Sequence, residues 1–310
     1  MSTYAVIDIG TLKVKTEIAS VNKDKSLDRI YNSNTLTCFG LNLEENNGNV
    51  HQKNLVATIN ELNRVKVILT EYDVKQCKVV STHAMRKAKN REYILEKMQK
   101  ETGFTIENIS QEQEAELFFK AVMSTFQKSD REYAIVDVGG GSVQVLIGTP
   151  QKLNRSIMMQ TGTVTISEQV ESNPHSPNSL TTSGDIEKMK QIIIEQLLKL
   201  EAGADIPLVY GSSMIIDVMQ KIGIHMEPHE DSKTHPYKTY SKHLNDFIKK
   251  ILPFTFGERE KLYQLPHGFM YGIDKGFINV ITIGEHLKSP YIIPSNANIA
   301  QGIIYSLAEE

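Results

Sequence analysis

Apolar residues along the chain follow two rhythms. Short unbroken runs that end at glycine read as buried strands, and stripes spaced three to four residues apart read as helices. Residues 4–9 form such a run and stop at Gly10. Residues 14–21 and 27–36 read as two more strands with a turn at 22–25, so an antiparallel meander is expected to follow the first strand. Residues 41–50, rich in Asn, Glu and Gly, read as a loop. Leu55, Ile59, Leu62, Val65 and Leu69 place a helix over 53–71. A strand at 78–81, a helix at 91–101, a strand at 105–109 and a helix at 111–126 follow. The charged segment 128–132 marks a break, and then the opening pattern returns. Ala134-Ile135-Val136-Asp137-Val138-Gly139 echoes Ala5-Val6-Ile7-Asp8-Ile9-Gly10, and strands at 142–148 and 154–160 follow it. Two lobes of similar construction are therefore expected. In the second half, 173–179 reads as a loop. Ile186 to Leu200 reads as a helical stripe, 207–211 as a strand and 213–222 as a helix. The stretch 227–240 reads as an exposed excursion, and helices are expected over 242–252, 268–280 and 298–308.

Composition narrows the function classes. A chain of 310 residues suits two domains of ordinary size. With 40% hydrophobic and 23% charged residues it has the balance of a soluble globular protein. Its net charge of -3 recruits neither nucleic acid nor an anionic membrane, so a polyanionic ligand has to be met by local groups. Cys38 and Cys77 form no disulfide framework and fit a reducing compartment. No leader-like segment precedes the first strand and no run spans a bilayer, so a cytoplasmic location is expected.

The two repeated turns carry the candidate chemistry. Asp8-Ile9-Gly10-Thr11 and Asp137-Val138-Gly139-Gly140-Gly141-Ser142 each set a carboxylate, glycine and a hydroxyl at a strand end. Glycine lets the backbone approach a ligand, and successive N–H groups form an anion-binding nest. The Asp is suited to a divalent cation or an attacking water. Lys13 and Lys15 share a strand face beside the first turn, either neutralising phosphate or simply facing solvent. Glu112, Glu114 and Glu116 either complement a helix dipole or include a general base. Arg86 can clamp phosphate oxygens. His225, His229, His235 and His243 have no spacing that suits a metal.

In their order and spacing these segments resemble the exopolyphosphatase / guanosine pentaphosphate phosphatase (Ppx/GppA) family of the actin–hexokinase–Hsp70 (ASKHA) superfamily. Residues 135–142 resemble its second phosphate loop and Asp8-Ile9-Gly10-Thr11 its first. Ile109 to Leu117 resembles the segment in which the Glu before Ala, here Glu114, is catalytic. Thr82-His83-Ala84-Met85-Arg86 resembles the segment whose Arg contacts phosphate. Glu258-Arg259 with Leu265-Pro266-His267-Gly268 resembles a late motif.

The resemblance implies an α/β fold of two ribonuclease H-like, actin-like lobes around a central cleft, in a short two-domain form. The first lobe would comprise residues 1–127 with 296–310 returning as a terminal helix, and the second 128–295. It implies a magnesium-assisted hydrolase that releases terminal orthophosphate from inorganic polyphosphate. The alternatives are hydrolysis of pppGpp or a related nucleotide, and regulatory binding of an alarmone or polyphosphate. The expected phosphate ligands are Gly10, Thr11, Lys13, Arg86, Gly139, Gly140, Gly141 and Ser142. Glu114 and Asp137 are expected to be catalytic, with Asp137 and Asp8 holding the metal. A homodimer is an expected assembly. The chain departs from the family pattern at Leu12, Gln144, Asn298 and Ala300.

Overall fold

The computed structural model describes residues 2–22, 26–176, 178–200, 203, 205–212, 214–229, 235–265 and 269–309. Positions 23–25 of the expected first turn, Ser213 and positions 266–268 of the late motif lie outside the described residues. In chain order the first elements are β1 (Thr3–Ile9), β2 (Lys13–Val21), β3 (Leu27–Leu36), α1 (Gln52–Glu71), β4 (Gln76–Ser81), α2 (His83–Lys87), α3 (Arg91–Thr102), β5 (Ile106–Asn108) and α4 (Gln111–Met123). Next come β6 (Tyr133–Val138), β7 (Val143–Thr149), β8 (Lys152–Met159), α5 (Thr163–Val170), α6 (Ser183–Leu197), β9 (Leu208–Gly211) and α7 (Ile215–Lys221). The remainder are β10 (Glu227–Pro228), β11 (Tyr237–Lys238), α8 (Ser241–Ile251), α9 (Phe256–Tyr263), α10 (Ile273–His286), β12 (Ile292–Ser295) and α11 (Ile299–Glu309).

The chain packs as two units, Met1–Phe118 with Ile299–Glu310, and Phe119–Asn298; the division falls within α4. The first unit holds a sheet ordered β3-β2-β1-β4-β5, and the second a sheet ordered β12-β9-β6-β7-β8. Read from the meander outward, these are the same design. In each, the first strand pairs antiparallel with the second and parallel with the fourth. The repeat seen in the sequence is thus a repeat of topology.

Why β1 reads as an unalternating apolar run follows from its surroundings. Ile7, Ile9 and Val14 pack with Leu55, Ile59 and Leu62 of α1 and with Ile94 and Met98 of α3. On the opposite face Tyr4, Val6 and Ala19 pack with Ile299, Ile303, Ile304 and Leu307 of α11. A strand covered on both faces has no polar face to show. In the second unit Val136, Val143, Val145 and Ile147 share one core with Met189 and Ile193 of α6, Leu244 and Phe247 of α8, and Phe277 and Ile281 of α10.

Three expectations need correction. Residues 230–234 lie outside the described residues, and the described parts of the stretch 227–240 are not an exposed excursion: β10 and β11 pair, and His229, His235 and Thr239 are buried. His235 stacks on Phe126 with ring centroids 4.8 Å apart, and its Nε2 lies 2.8 Å from Thr125 Oγ1. Burial, against some support from the Val122 backbone, pulls its pKa down to about 4, so it enters the core uncharged. The helix expected over 268–280 begins at Ile273 and runs to His286, because its buried apolar stripe continues through Ile283. Finally α5, α9 and β12 are elements that the hydrophobic rhythm did not mark. No helix among the described residues is long and apolar enough to cross a membrane.

Candidate active site

The first turn joins β1 to β2. Gly10 N–H donates to Lys13 O at 3.0 Å and closes it. The carbonyls of Thr11 and Leu12 are tied down by the strap that follows β3: Gly40 N–H donates to Thr11 O at 2.8 Å, and the N–H groups of Thr37 and Cys38 donate to Leu12 O at 3.1 and 2.9 Å. A trans peptide points its N–H opposite its C=O. The N–H groups of Leu12 and Lys13 therefore face away from the strap, as an anion-binding nest requires. Gly40 is what lets the strap lie so close, since a Cβ there would stand 2.9 Å from Thr11 Cγ2 and 2.6 Å from Ala84 Cβ.

Asp8 lies one residue before the end of β1 and is buried, with Oδ1 lacking a hydrogen-bond partner among the described residues. Across the ladder it faces Lys15, whose Nζ is 4.0 Å from Oδ2. Burial raises its pKa, and the charges of Lys15 and Arg86 oppose that shift. Thr11 is also buried, while Lys13 is half-buried.

β4 and α2 deliver Arg86. Its Nη1 donates to Ile109 O at 3.0 Å and its Nη2 to Glu114 Oε2 at 2.8 Å. Glu114 sits in the first turn of α4, whose start is fixed by reciprocal bonds between Ser110 and Gln113. The structure separates the three glutamates of this helix. Glu112 and Glu116 are exposed, and Glu112 has its pKa lowered by its own backbone N–H and by Ser110, which is a helix-terminal role. Glu114 alone of the three is buried and has the guanidinium as partner. Two residues singled out separately in the sequence thus form one pair.

In the second unit the β6–β7 turn repeats the first. Gly139 N–H donates to Ser142 O at 3.0 Å, the distance seen between Gly10 and Lys13. Here the N-terminus of α5 ties down the carbonyls. Thr163 N–H donates to Gly139 O at 3.0 Å, Val164 and Thr165 N–H to Gly140 O at 2.8 and 3.2 Å, and Thr165 Oγ1 to Gly141 O at 2.9 Å. With three successive carbonyls turned toward α5, the N–H groups of Gly140, Gly141 and Ser142 face the other way. Gly162 makes this possible: a Cβ there would lie 2.4 Å from Gly141 C and from Ser142 N. Asp137 occupies the place of Asp8, and its cross-strand partner is Gln144. Tyr210 has its phenol pKa pushed up by burial and then by the negative charge of Asp137.

Each predicted site residue of the first unit belongs to the β1–β2 turn or the Arg86–Glu114 pair, and each of the second belongs to the β6–β7 turn. Sequence reasoning missed Gly40 and Gly162. Their signal was present, since each follows the third strand of a meander at short distance. For magnesium, the donors are carboxylate oxygens, and Asp8 offers a buried oxygen that has no hydrogen-bond partner among the described residues. That chemistry fits a hard cation that keeps most of its waters and takes substrate oxygens. Among the described residues no three of His, Cys, Asp and Glu gather into a metal cluster.

A family model described as "Ppx/GppA phosphatase family" matches residues 18–310. The chain belongs to this family. The match covers Arg86, Glu114 and the β6–β7 turn, and begins after the β1–β2 turn. The bifunctional 3-dehydroquinate synthase/phosphatase of Fusobacterium nucleatum is 28% identical over 261 residues, 80% of this chain and 39% of that protein. The guanosine-5'-triphosphate,3'-diphosphate pyrophosphatase of Vibrio parahaemolyticus is 31% identical over 245 residues, 78% of this chain and 47% of that protein. The chain thus spans less than half the length of these two curated relatives. Exopolyphosphatase 2 of Mycobacterium tuberculosis is 20% identical over 99% of both chains. An exopolyphosphatase structure from Cytophaga hutchinsonii superposes with a TM-score of 0.84 at 20% identity, covering 99% of this chain and 98% of that one. That likeness gives the chain the fold of the solved Ppx/GppA and exopolyphosphatase structures.

Proposed function

We propose that this Ppx/GppA protein releases terminal orthophosphate from inorganic polyphosphate. The observation that carries the reading is the turn Gly139–Ser142, whose three carbonyls are tied to α5 so that successive N–H groups remain for an anion. The name of the full-length mycobacterial relative supports the same substrate. In this reading the N–H groups of the Gly139–Ser142 turn grip phosphate oxygens and stabilise the charge that grows on them during transfer. Glu114 takes a proton from the attacking water. Arg86, anchored on Ile109 O, holds the Glu114 carboxylate in one orientation. Magnesium would be held at Asp137, with Asp8 the matching carboxylate of the first turn, and would supply charge neutralisation at the phosphate. Free Cys38 and Cys77 suit the reducing cytoplasm.

The 31% identical Vibrio relative supports a second reading, hydrolysis of pppGpp at the same groups. Phosphate release from polyphosphate and from pppGpp, measured in competition with magnesium present, separates the two. Glu114→Gln keeps a hydrogen-bonding partner for Arg86 and removes the base, so kcat should fall by roughly 10²–10⁴-fold on the true substrate. Full activity in that variant would remove Glu114 from the role.

A further inference from the structure

The two turns differ in the residue that faces the aspartate. Opposite Asp8 stands Lys15, a cation within 4.0 Å. Opposite Asp137 stands Gln144, which is 1% exposed and has neither Oε1 nor Nε2 hydrogen-bonded among the described residues. Directly opposed residues of an antiparallel ladder share a sheet face, so the Gln144 amide lies on the Asp137 side, two residues beyond Ser142. The large majority of buried side-chain polar atoms in folded proteins have a hydrogen-bond partner, and Gln144 lacks one at both ends of its amide among the described residues. An amide with both ends unsatisfied is costly, and a ligand that meets both ends would remove that cost. The amide presents a donor and an acceptor together. Phosphate oxygens accept, and the water beside a bound phosphate donates. A phosphate with its water answers both ends of the amide, whereas a bare cation would leave Nε2 without a partner.

We infer that Gln144 is a phosphate-binding residue of the second turn, donating from Nε2 to a phosphate oxygen and accepting at Oε1 from an adjacent water. The assignment rests on the phosphohydrolase reading above and deepens it. A neutral amide in this place lets the turn receive a phosphate without adding a second negative charge beside Asp137. Phosphate binding should then depend less on magnesium than it would with a carboxylate there.

Two variants of the full chain test this, with inorganic phosphate as the probe in calorimetry and thermal unfolding. Gln144→Met preserves volume and removes both polar ends. Its phosphate affinity should fall about tenfold or more, while its unfolding temperature without phosphate stays level or rises, because an unsatisfied buried group has gone. Gln144→Glu should bind phosphate weakly without magnesium and recover when magnesium is added. Wild-type phosphate affinity in Gln144→Met overturns the assignment. So does a drop in its ligand-free unfolding temperature that matches its loss of binding, which would mark a structural role. So does a Gln144→Glu variant whose phosphate binding ignores magnesium. If the wild type releases phosphate from polyphosphate and these variants behave as it does, only Gln144 loses its role. A wild type that neither binds nor releases phosphate overturns the parent reading as well.

Discussion

Gly162→Ala is the sharpest probe of the second turn. The added methyl would lie 2.4 Å from Gly141 C, 2.4 Å from Ser142 N and 2.6 Å from Gly140 C. Comfortable carbon contacts lie near 3.5–4.0 Å, so about 1 Å of movement is needed. All three obstructing atoms are backbone, and no flexible side chain can yield in their place. Either the turn or α5 must shift, and the bonds from Thr163 to Gly139 and from Val164 to Gly140, 3.0 and 2.8 Å long, run directly between them. Overpacking of this kind costs roughly 1–3 kcal/mol of stability. Displacing a phosphate grip by about 1 Å costs on the order of 10²-fold in rate. The assay is kcat for phosphate release together with urea unfolding. Gly184→Ala serves as the control, because its nearest neighbour would be Thr182 Oγ1 at an ordinary 3.7 Å. That helical replacement should stabilise by about 0.4–1 kcal/mol and leave turnover alone. If Gly162→Ala turns over like the wild type, the turn is not held in place by α5, and the argument from tied carbonyls fails.

Two further outcomes concern stability. His235 is held neutral with a pKa of about 4 against an unfolded value of 6.5, so the unfolded chain binds more protons in that interval. Its contribution is complete above pH 6.5 and is lost as pH falls toward 4, by about 3 kcal/mol at most; urea midpoints across this range should show the slope, and His235→Leu should flatten it. Gly302 of α11 meets α4 so closely that a Cβ would stand 2.0 Å from Leu117 O. Gly302→Ala should therefore cost roughly 1–3 kcal/mol in urea unfolding by prising the terminal helix away.

Much of the fold was legible because burial on both faces leaves an unmistakable trace. β1 and β6 are apolar runs for that reason, and the Asp-x-Gly at their ends marks both turns in the sequence itself. What was missed obeys other rules. β12 contains Pro294, which argues against a strand in a sequence, yet β12 sits at a sheet edge where proline is tolerated. α9 is short, and its signal was capping rather than periodicity: Thr255 and Glu258 bond reciprocally in a capping box. The same helix explains Glu258-Arg259 of the late motif. Glu258 caps, while buried Arg259 reaches Asp274 at 2.8 Å. Asp274 and Lys275 lie in an ion cluster with Glu171 and Thr181 that no single segment of sequence could announce. The Arg86–Glu114 pair was invisible for a related reason. Twenty-eight residues separate the partners, and only the parallel β4–β5 crossover brings them within reach.

The lysine opposite Asp8 makes a last prediction about where a cation matters. Asp8 has Lys15 at 4.0 Å and also feels Arg86, so part of its charge is already answered within the protein. Lys15 is about a third exposed, which weakens that answer without cancelling it. A divalent cation drawn to Asp8 has to compete with that ammonium, so Lys15→Gln should lower the magnesium concentration for half-maximal phosphate release by roughly two- to fivefold. Asp8→Asn removes the carboxylate for which the two compete, so adding Lys15→Gln to it should bring no further change. Titrating magnesium against initial rate for the single and double variants decides the matter. An unchanged magnesium requirement in Lys15→Gln would mean that the lysine opposite Asp8 does not offset its need for a cation.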